Sequence, residues 1–198
     1  YEDFINGISM LIPHLCEIVF SSDVFKVLRY GCGCLGSYSK NYLEIGKHIL
    51  ENEYFQEKCK ILENLEGIND KEKIFHRLEE LKEILFLVDD IMQNNEIKKD
   101  QDSKSSIQSI SKSLENIIIM TLSHSFASPN IFSTKIICFI ESLVHYCQHQ
   151  SDNDFINAIG TFTPNLCEFI FNSDDFNVLH YGCHCLGSLG MKNFDIGI

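Results

Sequence analysis

Residues 3–37 read DFINGISMLIPHLCEIVFSSDVFKVLRYGCGCLGS, and the chain repeats them without a gap 151 positions later as DFINAIGTFTPNLCEFIFNSDDFNVLHYGCHCLGS. The two copies are identical at 22 of 35 positions. Gapless self-similarity at a fixed spacing is typical of repeat proteins, in which one structural unit is stacked and reused. The repeat therefore predicts the architecture before any single residue does.

The apolar residues of the repeated stretch follow the period of an α-helix. They step by three and four along the chain, which is the pattern of a helix facing a core. They are Ile5, Ile8, Ile12, Leu15 and Val19. Pro13 interrupts this pattern, and proline removes a backbone donor but is welcome in the first turn of a helix. We therefore expect a short helix over 3–10 that bends into a second over 13–20, with the bend repeated at Pro164.

A third helix closes each copy. Its predicted core stripe consists of identical residues in the two copies, namely Phe25, Leu28, Cys32 and Leu35, and then Phe176, Leu179, Cys183 and Leu186. Glycine weakens a helix by up to about 1 kcal/mol relative to alanine. Because Gly31 and Gly36 return as Gly182 and Gly187, we expect another helix to pass close to them.

The segment between the copies is predicted to be helical with one interruption. Residues 42–65 and 71–92 are predicted helices, and 107–126 with 131–149 form a predicted helical hairpin. Residues 94–106 contain one apolar residue and no periodicity, which predicts a flexible loop. No strand is predicted. The expected fold class is all-α.

The order of short helix, proline-started helix, polar turn and glycine-containing third helix resembles the armadillo repeat. The resemblance is carried by IPHLCEIVFSSDVFKVLRYGCGCLGSYS and by TPNLCEFIFNSDDFNVLHYGCHCLGSLG. It covers units 3–46 and 154–197, is weaker over 107–150, and leaves 47–93 as irregular hairpins of the related HEAT kind. Residues 1–198, which begin at Tyr1 rather than at methionine, are expected to be one array within a longer chain.

This resemblance implies a right-handed α-solenoid with units of about 40 residues, whose third helices line a concave surface that grips partner proteins. Nuclear-import adaptors of the family carry tryptophan and asparagine on each third helix. This chain has no tryptophan, and Ser37 and Ser188 stand where the asparagine is expected. A nuclear-import adaptor with a groove for nuclear-localisation peptides is therefore the least favoured of the alternative functions.

The composition limits the partners. Asp and Glu number 28 against 16 Lys and Arg, a formal net charge of -12, which argues against direct nucleic-acid binding and favours a basic protein or peptide. The nine cysteines are an odd number, and no secretory leader is recognisable, so we expect the reducing environment of the cytoplasm or nucleus. No stretch is apolar enough to predict a membrane span.

Two groups of residues raise the question of a metal site. Cys32 with Cys34, and Cys183 with His184 and Cys185, lie on predicted helices, where residues two apart point in different directions. We interpret these cysteines as packed thiols. The pair His145 and His149 has the spacing of two ligands but lacks the glutamate of a metalloprotease helix, and we interpret it as surface. No catalytic residue, metal or cofactor is predicted.

The differences between the copies indicate a binding surface. Lys26, Arg29 and Gly33 become Asn177, His180 and His184, and these positions share one helix face beside Tyr30 and Tyr181. Aromatic residues beside charges are common interface anchors. Drift of a solvated surface explains the differences equally well. The predicted partner-binding residues are Lys26, Arg29, Tyr30, Asn177, His180, Tyr181 and His184.

The predicted function is that of a non-enzymatic scaffold which binds a partner along its third helices. The alternative is a structural or regulatory solenoid subunit of a larger complex, of the transport or phosphatase type. An exposed apolar strip would favour this alternative, because permanent interfaces are more hydrophobic than transient ones. An enzyme would need a pocket with convergent titratable groups, and no such pattern is present.

Overall fold

The structure is a computed structural model, and it describes residues 2–63, 70–97, 99–127 and 160–192. Within these ranges all regular structure is helical, so the all-α prediction is confirmed. The helices are α1 (Glu2–Ser21), α2 (Phe25–Ser39), α3 (Leu43–Glu51), α4 (Glu53–Glu63), α5 (Lys71–Met92), α6 (Gln101–Ala127), α7 (Thr163–Phe171) and α8 (Phe176–Lys192). The predicted helix over 131–149 and most of the weaker unit 107–150 lie outside the described residues.

The chain divides into two compact units. Unit 1 comprises Tyr1–Glu66 and Glu83–Leu114, and unit 2 comprises Gly67–Lys82 and Glu115–Ile198. The first copy of the repeat forms the α1–α2 hairpin, called the first hairpin below, and belongs to unit 1. The second copy forms the α7–α8 hairpin, called the second hairpin, and belongs to unit 2.

Helix α1 continues through Pro13, so the predicted bend at this residue is wrong. The helix packs against α2, α3 and α4. It buries Ile12 and Phe20, and the Phe20 ring lies 5.1 Å from that of Phe55 on α4. Burial on three sides stabilises the helix enough to outweigh a proline, which costs about 3 kcal/mol relative to alanine in a helix interior. In the second copy the predicted start of a helix at Pro164 is confirmed, since α7 begins at Thr163 with Pro164 in its first turn. Most of the short helix predicted before it lies outside the described residues.

The predicted helix over 42–65 is two helices, α3 and α4. The backbone of Asn52 is extended between them. Its side-chain oxygen accepts hydrogen bonds from the amides of Tyr54 at 3.0 Å and Phe55 at 3.3 Å. Asparagine in this position caps the following helix and ends the preceding one, which is why the helix prediction failed at this residue.

Helix α5 has the predicted bounds, and the apolar residues that recur along one of its faces, Ile74, Leu78, Leu81, Leu85 and Val88, are all buried. The flexible loop predicted over 94–106 is wrong, because α6 begins at Gln101 and the preceding turn is anchored. Ile97, the single apolar residue of that segment, is fully buried. The buried Asn94 donates a hydrogen bond to the Ser39 carbonyl at 2.8 Å and accepts one from the Glu96 amide at 2.9 Å. Burial of Ile97 and the hydrogen bonds of Asn94 therefore order a segment whose composition is mostly polar.

Candidate functional site

The predicted binding residues of the first copy lie on the outer face of α2. Lys26, Arg29 and Tyr30 are all exposed, and Tyr30 is 71% exposed. The Arg29 Nε lies 3.9 Å from a carboxylate oxygen of Glu83 on α5, so part of its charge is already engaged within unit 1. All three side chains are therefore accessible, and their role in binding a partner stays a prediction.

The predicted residues of the second copy lie on the exposed face of α8. Asn177, His180, Tyr181 and His184 are all exposed. The His180 ring stacks on Phe176 with 6.0 Å between ring centroids and meets the edge of Tyr181 at 5.1 Å. Phe176, His180 and Tyr181, called the α8 cluster below, form a continuous aromatic surface. Phe176 was missed by sequence analysis, which assigned it to the core.

The predicted core stripe is confirmed on α2 except for Phe25, which is half-buried, and it is wrong on α8. Leu28, Cys32 and Leu35 are buried. Among their counterparts on α8, Leu179 and Leu186 are half-buried while Cys183 is exposed, and Phe176 is 75% exposed. The residues that α8 buries are Val178, Gly182, Cys185 and Leu189. The same sequence therefore buries a different face of the helix in each unit.

The two hairpins are nevertheless closed by the same contact. A Cβ on Gly31 would overlap Val19 of α1, and a Cβ on Gly182 would overlap Ile170 of α7 in the same way. These residues occupy equivalent positions in the two copies. Each glycine is required because the two helices of its hairpin cross there with no room for a side chain.

The two hairpins differ in how much of their outer surface is packed against other helices. In unit 1 a Cβ on Gly36 would meet the Asp90 side chain of α5, whereas a Cβ on the equivalent Gly187 would meet no atom of the described residues within 4 Å. Phe20 is 4% exposed because it packs beside Phe55 of α4, whereas its counterpart Phe171 is 67% exposed. The surface that carries Phe171, Phe176, Leu179, Cys183 and Gly187 is called the open face of the second hairpin below.

The thiols divide by burial rather than behaving alike. Cys32 and Cys185 are buried, as the packed-thiol interpretation predicts, but Cys34 and Cys183 are exposed, so for these two the interpretation is wrong. Burial raises the pKa of the Cys16 thiol to about 12 and raises the pKa of Cys32 further above its usual range, so both thiols remain protonated. Among the described cysteines, Cys34 and Cys183 are the exposed ones and are open to reagents in solution.

Neither a metal site nor a membrane-spanning helix is found in the described ranges. No group of three or more His, Cys, Asp or Glu residues is placed there to hold a metal ion. No helix in the same ranges has the length and hydropathy to cross a bilayer. The candidate pair His145 and His149 lies outside the described residues.

Comparison with known proteins finds no similar protein. No protein-family model, curated protein or solved structure matches the chain. The surfaces of α2 and α8 are therefore interpreted from their own chemistry.

Proposed function

We propose that the protein is a non-enzymatic binding module, a right-handed α-solenoid of armadillo- or HEAT-like repeats whose third helices α2 and α8 hold a partner protein or peptide. The observation that carries the proposal is the α8 cluster, in which an exposed phenylalanine, histidine and tyrosine pack on one another. Aromatic side chains supply large contact areas and are enriched among the residues that dominate binding energy.

The charge of the chain supports a basic partner. The formal net charge of -12 attracts cationic segments over distances of about 10 Å at 0.1 M salt. Tyr30 on α2 and Tyr181 on α8 supply flat rings on which a guanidinium or ammonium group can stack. We propose the cytoplasm or nucleus as the compartment, because an odd number of cysteines, nine in this chain, favours a reducing environment.

Photocrosslinking tests this proposal. Tyr30 and Tyr181 are each replaced by the photoreactive residue p-benzoylphenylalanine in the full chain, which is then irradiated in cells. Because both positions are exposed on the proposed surface, each is expected to give a covalent adduct with the same partner. Ile61, an exposed residue of α4, is the control position. Equal labelling at positions 30, 61 and 181, or no adduct at 30 and 181, would contradict the proposal.

A second candidate function is that of a permanent subunit in a larger assembly. It is favoured by an apolar strip on α1, where Met10, Leu11 and Ile18 are each more than half exposed. Obligate interfaces are rich in such residues. In this case the double change Leu11→Lys with Ile18→Lys would shift the protein to its monomer size in gel filtration of a cell extract, whereas Lys26→Ala would not.

A further inference from the structure

We propose that the open face of the second hairpin is a docking site for one amphipathic helix from another protein, with an aliphatic contact stripe and no carboxylate on its contact side. The inference rests on the proposed binding function and names the surface and the chemistry of the partner. It uses the first hairpin as an internal template, because the two copies carry the same stripe but only one is covered.

The first hairpin shows which element packs against this face of the repeat in unit 1. In unit 1 the stripe of α2 is buried, and α5 passes close enough for the Asp90 side chain to occupy the space beside Gly36. The part of α5 that belongs to unit 1 buries Ile84, Leu87, Val88 and Ile91. A helix that passes across the glycine, and that buries aliphatic residues along its length, is therefore the occupant that the repeated sequence accepts in unit 1.

The second hairpin keeps the features that permit this approach. Gly187 repeats Gly36, and Leu179, Cys183 and Leu186 repeat the buried residues of α2. Within the described part of the chain, a Cβ at Gly187 or at the nearby Gly190 would meet no atom within 4 Å. Small residues allow the axis of a second helix to come close, and an exposed apolar surface of this kind marks an interaction site.

The charges differ in a way that specifies the partner. In unit 1 the Lys40 Nζ lies 2.7 Å from the Asp90 carboxylate, and Arg29 lies near Glu83. The second copy has Met191 in place of Lys40 and His180 in place of Arg29. A helix that placed carboxylates as α5 does would bury them without these cations, which is unfavourable. The face therefore selects a helix that is neutral at both positions.

The experiment uses the full chain and two synthetic probes. The first is the peptide of residues 83–97 with all four of its acids neutralised (Glu83→Gln, Asp89→Asn, Asp90→Asn and Glu96→Gln), held helical by a hydrocarbon staple between its outward positions 86 and 93. The second is the same stapled peptide with Glu83 and Asp90 kept. The readout is the rate at which N-ethylmaleimide alkylates Cys183, measured by mass spectrometry, and Cys34 serves as the internal control because it is also exposed but lies in the first hairpin.

The neutral peptide at saturation is expected to slow alkylation of Cys183 by about tenfold or more and to leave Cys34 unchanged. The acidic peptide is expected to need a several-fold higher concentration for the same protection. Gly187→Leu in the full chain is expected to abolish protection, because the leucine fills the space that the helix must enter. Gly33→Leu is the matched control, since its Cβ also meets no atom within 4 Å and it lies on α2.

Three outcomes would overturn the inference. The first is that neither peptide protects Cys183 from alkylation. The second is that both peptides protect it equally. The third is that the neutral peptide still protects Cys183 in the Gly187→Leu variant. If Cys183 of the free chain is already unreactive and becomes reactive on dilution, the occupant is a second copy of this chain, and the inference fails in that way. The crosslinking positions 30 and 181 lie outside the open face, so adducts there combined with failure here would leave the proposed function standing.

Discussion

At the residue scale, two polar side chains order the turn between α5 and α6. Asn94 is buried and hydrogen-bonds to the Ser39 carbonyl and to the amide of Glu96. Asp100 accepts a hydrogen bond from the Ser103 amide at 2.9 Å and pairs with Lys47 at 3.1 Å. Asn94 links the turn to the end of α2, and Asp100 caps α6. Together they hold in place a segment without apolar periodicity.

The carboxylate of Asp100 makes the stability of unit 1 depend on pH. The hydroxyl and amide of Ser103, followed by Lys47, lower the pKa of Asp100 from 3.8 to about 2. A carboxyl whose pKa is lower in the folded state stabilises the fold above its unfolded pKa, and this contribution is lost as the pH falls through its folded pKa. Asp100→Asn is therefore expected to lower stability at pH 7, and the difference from the parent should shrink between about pH 4 and pH 2.

Urea unfolding followed by circular dichroism at pH 7, 5, 4, 3 and 2 measures this difference. Asp102→Asn is the control, because Asp102 is an exposed residue in the first turn of the same helix. A difference between parent and Asp100→Asn that stays constant down to pH 2 would mean that the Ser103 and Lys47 contacts do not hold the carboxylate in solution.

At the element scale, the two prolines of the repeat occupy different helix positions. Pro13 lies inside α1, where it removes the hydrogen bond to the Ser9 carbonyl, while Pro164 lies in the first turn of α7, where no such bond is lost. Pro13→Ala is therefore expected to raise the free energy of unfolding by about 1–3 kcal/mol. Pro164→Ala should change it by less than about 1 kcal/mol. Thermal and urea unfolding of both variants measure the contrast, and equal effects would show that α1 is not continuous.

Periodicity predicted the long helices because their packing repeats every turn. The bounds of α5 follow from its apolar residues at helical spacing, from Ile74 to Val88, which are buried. Periodicity failed where a single residue decided the structure. Asn52 divides the predicted helix over 42–65 through hydrogen bonds from its side chain, and the same apolar pattern that surrounds Pro13 is what keeps α1 intact. Local chemistry of this kind leaves little trace in a hydrophobic pattern.

At the scale of the whole molecule, near-identical sequences are packed differently in the two units. Sequence analysis found the exposed residues of α2 and α8 because they differ between the copies. It missed Phe176 and Cys183 because they are identical to Phe25 and Cys32 of the first copy, which are half-buried and buried. A repeated stripe specifies that a face is apolar. Whether that face is covered depends on the segments packed against it, which the repeat itself does not encode.

This difference in cover gives opposite expectations for the same substitution in the two copies. In Gly36→Ala the new methyl group would collide with Asp90 and displace it from Lys40, and such overpacking costs about 1–3 kcal/mol. In Gly187→Ala the methyl group enters empty space, and replacing a helical glycine by alanine stabilises by about 0.5–1 kcal/mol. Urea unfolding of the two variants should therefore shift in opposite directions relative to the parent. Destabilisation by both would mean that the second hairpin is covered in the free chain as the first one is, since only a helix packed against Gly187 would make its methyl group unfavourable.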